Sequence, residues 1–248
     1  MDDDQMSLTG HLEELRTRLF RALIAVGAGF AAAYGFSEQI VLFLQRPLKE
    51  VAPEVSLNYF SLMEPFLTHL KAAFFAGLLL ALPVIFYQLY RFIAPGLLPR
   101  ERRYVVPFVL FGSLFFLGGA TLAFLGVLPF AVQFFLHFDP SLVATLNVGK
   151  FLGFCIRLMI AFGVVFQLPL LVFVLARLGL VRYETMTRNR RYALLVAFVF
   201  GAFLTPPDPV TQTLMAGPLI LMYELSVWVA RVFYRVPDHP EEVSGVAT

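Results

Sequence analysis

Lys71-Ala-Ala-Phe-Phe-Ala-Gly-Leu-Leu-Leu-Ala-Leu-Pro83-Val-Ile-Phe-Tyr-Gln-Leu-Tyr-Arg91-Phe92 carries no charge between its Lys and its Arg. Those 19 uncharged residues rise about 28 Å as a helix, close to the roughly 30 Å of hydrocarbon in a bilayer. The stretch therefore predicts a membrane-spanning helix, with Pro83 as a kink inside it. Lys71, at its foot, is placed where an ammonium group snorkels to the interface.

The rest of the chain has the same character. Its 248 residues are 59% hydrophobic and 15% charged, with a mean hydropathy of +0.77 and 28 Phe. A soluble domain is nearer half apolar and a quarter charged, so lipid is the solvent for most of this chain. Spans are expected at about 19–36, 71–92, 104–136, 150–178, 192–204 and 211–229. The third is long enough to tilt. The fifth, at 13 residues, reaches only about 20 Å. Thr205-Pro206-Pro207-Asp208-Pro209 then forces a turn into the sixth, which Pro218 interrupts. In the long segment Ser37–Pro65, short helices are expected around Gln45–Leu48 and Leu62–Phe66. The fold class is an all-α integral membrane protein with one membrane domain, 1–235, and a disordered polar tail, 236–248.

Sidedness follows from the basic residues. If the amino terminus is cytoplasmic, 14 of the 19 Lys and Arg fall on that side. Only Arg46, Lys49 and Lys150 fall on the other, and Lys71 and Arg157 lie near span ends. Both termini are expected in the cytoplasm. The start, Met1-Asp-Asp-Asp-Gln5, is acidic where a secretory signal is basic, so the first span is expected to be retained.

Several classes drop out. No Gly-rich phosphate loop and no Gly-x-Ser-x-Gly is present. The four His lie near span ends or in the termini, and the single Cys155 sits in an apolar run as a small core residue. No enzyme activity, cofactor, metal or nucleic-acid partner is expected.

The polar groups that remain are few. His11-Leu-Glu-Glu-Leu-Arg-Thr-Arg-Leu19, read as a helix, aligns Leu12, Leu15 and Leu19 on one stripe and sets Glu14 one turn before Arg18. Glu101 is the lone acid in the basic loop Pro99-Arg-Glu-Arg-Arg103. A solvated ion pair within the loop explains Glu101 alone. Together with Glu14, it offers two carboxylates at one surface, each able to grip a guanidinium through paired hydrogen bonds. Gln167, expected near mid-membrane beside Pro169, faces either another helix or a partner. Asp208 and Glu64 read first as capping residues. Glu224 and Lys71 form a pair or are each interfacial.

Several stretches, in order, resemble the twin-arginine translocase subunit TatC family: His11-Leu-Glu-Glu-Leu-Arg16, Glu64-Pro-Phe66 with Lys71, Ala81-Leu-Pro-Val-Ile-Phe-Tyr-Gln88, Phe92-Ile-Ala-Pro-Gly-Leu97, Glu101-Arg-Arg103, Ala161-Phe-Gly163 and Leu204-Thr-Pro-Pro-Asp208. The resemblance covers all but the acidic start and the tail. It implies a glove-shaped bundle of six transmembrane helices in a prokaryotic cytoplasmic (inner) membrane. Such a bundle exports folded proteins on the proton gradient. By the resemblance, Glu14 and Glu101 match the carboxylates that contact a twin-arginine signal peptide, and Arg16 and Phe92 are grouped with them. Gln167, Thr205, Gln212, Asp208 and Pro47 match positions tied to partner docking or to family function. The implied partners are TatA- and TatB-type single-span proteins, with self-association in the receptor complex. Where many members carry a glutamate in the fourth span, this chain has Gln167, which hydrogen-bonds but does not ionise. The alternative is a secondary transporter of a small solute, with a midplane site outlined by the proline-broken spans.

Overall fold

The structure is a computed structural model that describes residues 8–94, 105–138, 141, 144–204 and 209–234. The chain passes six times along a helical bundle, as α1 (Leu8–Tyr34), α4 (Glu64–Ile93), α5 (Val105–Leu122) with α6 (Leu128–His137), α7 (Val148–Val165) with α8 (Leu168–Arg177), α10 (Arg190–Leu204) and α11 (Pro209–Phe233). Short helices α2 (Ser37–Leu44), α3 (Arg46–Val51) and α9 (Tyr183–Arg188) join them. Strands β1 (Leu57–Asn58) and β2 (Leu146–Asn147) pair in parallel, Leu57 opposite Leu146.

Length and hydropathy alone qualify Glu64–Ile93, Val105–His137, Val148–Arg177 and Gln212–Phe233 to cross a bilayer. Leu12–Tyr34 qualifies together with Ser37–Val51, the two bent by 87°. At 15 residues, α10 is about 22 Å long, short of the hydrocarbon thickness. Its shortness matches the expected fifth span.

The core is built around α7. Phe162, Leu158, Leu152 and Cys155 are all but fully buried and pack with Ala72 and Phe75 of α4, Leu128 of α6, and Leu44 and Leu48 of α2 and α3. Leu19, Leu23, Ile24, Leu80, Val106 and Leu110 point outward, as expected where lipid is the solvent. Glycines set the closest crossings, Gly29 against Gly77 and Gly119 against Phe162, the small-residue packing favoured between membrane helices.

β1 lies a few residues before α4 and β2 directly before α7, so both helices start at one end of the bundle, here called the capped end. At the opposite end Phe233 of α11 meets Phe173 of α8, ring centroids 5.1 Å apart. Since α1 runs antiparallel to α4, its first described residues lie at that end too.

The charged stretch His11–Leu19 is helical, as its leucine stripe leads one to expect, and is the first part of one continuous 27-residue helix. Two expectations are corrected. Leu62–Phe66 forms no separate helix, since Glu64 and Pro65 are the first turn of α4. Pro218 lies inside an unbroken helix, so the interruption expected there is absent and its lost hydrogen bond is carried without a break; Pro83 lies inside continuous α4. The real break is in the fourth pass, at Phe166–Gln167, just ahead of Pro169 in the first turn of α8. Pairing of β1 with β2 was not foreseen. The tail after Tyr234 lies outside the described residues.

Candidate functional site

At the end away from the cap, Glu14 and Arg18 stand one turn apart on α1, with side chains only 20% and 14% exposed. Both Nε (2.9 Å) and a terminal nitrogen of Arg18 donate to Glu14 Oε1. Glu14 Oε2 is buried and has no hydrogen-bond partner among the described residues. A shielded carboxylate with one oxygen open is a costly arrangement by itself and a ready acceptor for a further donor.

Register places other groups beside it. Counting outward from the Gly29–Gly77 crossing along antiparallel helices, Glu14 falls level with Phe92 and Arg18 with Gln88. Phe92 is partly buried near the end of α4. Gln88 Oε1 is a second buried acceptor without a hydrogen-bond partner among the described residues. Arg16 is exposed and lies over the exposed ring of Phe20, 5.7 Å from its centroid. Glu101, the expected second carboxylate, lies outside the described residues.

Gln167 occupies the break between α7 and α8. Its own N–H bonds back to Val164 O, so the carbonyl of Gly163 loses its ladder partner. The Gln167 amide replaces that partner, donating to Gly163 O (3.3 Å) and across to Gly112 O on α5 (3.2 Å). Two carbonyl neighbours fix which end of the amide faces them. Its Oε1 is buried and has no hydrogen-bond partner among the described residues. The intramolecular hydrogen bond foreseen in the sequence is thus present, and one acceptor is left over.

Gln212 of α11 donates to Phe198 O of α10 at 2.8 Å, fastening the short hairpin where Gly201 lets the two helices approach. Thr205 and Asp208, in the turn, lie outside the described residues. Glu224 pairs with Arg190 at 2.7 Å, not with Lys71. It is α10, folded back beside α11, that brings Arg190 within its reach.

Pro47 is buried in the first turn of α3, under the cap, where its fixed φ starts the helix. Glu64, also at this end, accepts from Phe60 N (3.0 Å) and, 85 residues away, from Gly149 N (2.9 Å). The capping carboxylate expected at Glu64 is present, and its distant partner is Gly149. Lys71, Lys150 and Arg157, far apart in sequence, come onto one cleft between α4 and α7. Among the described residues no group of His, Cys, Asp and Glu is arranged to hold a metal ion.

Comparison with known proteins agrees with this geometry. Residues 10–218 match the family described as Sec-independent protein translocase protein (TatC). The chain is 42% identical to the Sec-independent protein translocase protein TatC of Desulforapulum autotrophicum over 97% of its length and 90% of the relative's. It is 38% identical to the protein of that name from Aquifex aeolicus, over 93% and 97%. A solved structure described as the twin arginine translocase receptor TatC superposes with a TM-score of 0.81 at 37% identity, covering 91% of this chain and all of that one.

Proposed function

The chain belongs to the TatC family of Sec-independent protein translocase proteins, and from that premise we propose that it is the receptor core of a twin-arginine translocase. In this reading it binds the signal peptides of folded cargo and nucleates assembly with TatA- and TatB-type single-span partners, export being driven by the proton gradient. A TatC protein is a membrane transport subunit of the Tat pathway and not an enzyme. Membership displaces the small-solute transporter alternative.

The observation that carries the reading is the Glu14 carboxylate, half satisfied by Arg18, with Oε2 buried and without a hydrogen-bond partner among the described residues. An incoming arginine takes the open oxygen and then competes with Arg18 for the other. Exchange of one guanidinium for another costs little in hydrogen bonding, so selectivity for two consecutive arginines requires a second carboxylate, for which Glu101 is proposed. Phe92, level with Glu14, supplies a ring for cation–π and apolar contact. Arg16 has the same sign as the signal arginines and therefore suits peptide carbonyls. The basic residues favour a cytoplasmic face for this end, with both termini inside, in a prokaryotic inner membrane. Gln167, Thr205, Gln212 and Asp208 are proposed as the polar contacts for single-span partners, with Pro47 holding the cap beneath them.

Binding of a labelled twin-arginine signal peptide to the parent, Glu14→Ala, Glu101→Ala and the double variant tests the assignment. Each single change is expected to weaken binding, the double change most, and added salt to weaken it further. A double variant that binds as tightly as the parent overturns it.

A further inference from the structure

At the capped end a cleft of about 680 Å3 opens between α4 and α7, walled by Phe30, Phe74 and Ile160 with Lys71 and Arg157. A second cavity of about 420 Å3 continues it toward Lys150 and Glu64 and shares Lys71, Gly153 and Arg157. The first is almost wholly apolar apart from its two cations.

Charge across this cleft is out of balance. Lys71, Lys150 and Arg157 face it, against one acid, Glu64. Both Glu64 oxygens already accept backbone N–H groups from Phe60 and Gly149. Among the described residues none of the three cations has an ion pair. Lys71 follows the start of α4 by seven residues and Arg157 that of α7 by nine, some 10 Å and 14 Å down each helix. Cations at that depth, beside an apolar trough, call for an anion that arrives with hydrocarbon attached. A phospholipid supplies both parts in one molecule, a phosphate for the cations and an acyl chain for the trough.

We propose that this cleft seats one anionic phospholipid from the leaflet at the capped end. Its phosphate lies between Lys71 and Arg157, and an acyl chain lies along Phe30, Phe74 and Ile160. Gly153 makes the room, for a Cβ built there meets nothing within 4 Å. The inference does not depend on signal-peptide binding at the other end.

The test is native mass spectrometry of the detergent-purified full-length protein, titrated with phosphatidylglycerol or phosphatidylethanolamine. One phosphatidylglycerol adduct is expected, preferred by roughly 30-fold, about fivefold for each of two basic residues. The preference disappears in Lys71→Gln/Arg157→Gln. Gly153→Leu, whose Cβ meets nothing within 4 Å and whose longer side chain adds bulk to the cleft lining, is expected to lose the adduct while keeping the parent's thermal unfolding profile. Equal affinity for the two lipids, a preference surviving the double substitution, or an adduct surviving in folded Gly153→Leu overturns the proposal. Loss of fold in Gly153→Leu would leave the double variant, whose changed side chains are both exposed, to decide.

Discussion

Gly29 and Gly77 meet backbone to backbone: a Cβ on Gly29 would lie 2.5 Å from Gly77 O, and one on Gly77 would lie 2.4 Å from Phe30 N. No rotamer relieves a clash made by Cβ and main chain, so even Gly77→Ala must push α1 off α4. Overpacking of this kind costs about 1–3 kcal/mol. Thermal unfolding in detergent is expected to fall for Gly77→Ala and stay unchanged for Gly27→Ala, whose Cβ meets nothing within 4 Å. Because the crossing also sets the level of Glu14 against Phe92, the same variant should weaken signal-peptide binding.

Glu64 joins the start of α4 to that of α7 through Gly149 N and holds the β1 side through Phe60 N. Glu64→Ala removes both acceptors at once. Backbone amides of Phe60 and Gly149 are expected to exchange hydrogen faster, while amides inside α7 keep their protection. Gly149→Ala should act similarly, since its Cβ would meet Glu64 Oε1 at 2.7 Å. Unchanged exchange in both variants would mean that β1–β2 pairing alone holds the cap.

The membrane passes were legible because burial in lipid demands long apolar runs, and those runs dominate the composition. What the sequence concealed came from contacts between distant residues. The Glu64–Gly149 bond spans 85 positions, and the Arg190–Glu224 pair needs α10 folded beside α11. Lys71 and Arg157 looked like isolated interfacial charges until α4 and α7 brought them to one cleft. Local rules also misjudged proline. Pro218 leaves α11 unbroken, whereas Pro169 coincides with a break, and there the Gln167 side chain supplies the donor that the backbone lacks. Glu14 was found from its motif, but the open Oε2 that makes it an acceptor required coordinates.

Arg190 and Glu224 are 52% and 46% exposed, so their ion pair contributes little. A double-mutant cycle with Arg190→Ala and Glu224→Ala is expected to give a coupling of about 0.5 kcal/mol, falling with salt. A coupling several times larger would mean that the pair is desolvated in the membrane-embedded protein.

Gln167→Leu removes the donor shared by Gly163 O and Gly112 O and leaves the α7–α8 break unsupported. Interhelical hydrogen bonds in membranes average roughly 0.6 kcal/mol, with a maximum near 1.7. Stability should therefore drop by about 1 kcal/mol. If Oε1 also serves a docked helix, cross-linking to a single-span partner falls while signal-peptide binding persists. Full cross-linking in a measurably destabilised variant would confine Gln167 to its intramolecular role.

Arg18 separates competition from support at the carboxylate. Arg18→Ala frees Glu14 Oε1 and removes the guanidinium against which a signal arginine must compete. If exchange is the binding step, the variant binds a twin-arginine peptide as tightly as the parent or severalfold more tightly. Its thermal stability should fall modestly, because a shielded carboxylate loses its charged partner. Arg18→Lys keeps the charge but not the fork-shaped donor and is expected to fall between the two. Glu14→Ala runs the other way, leaving Arg18 poorly exposed without its acid and costing both stability and binding. Abolished binding in a folded Arg18→Ala protein would show that Arg18 belongs to the bound state, and the exchange step would have to be abandoned.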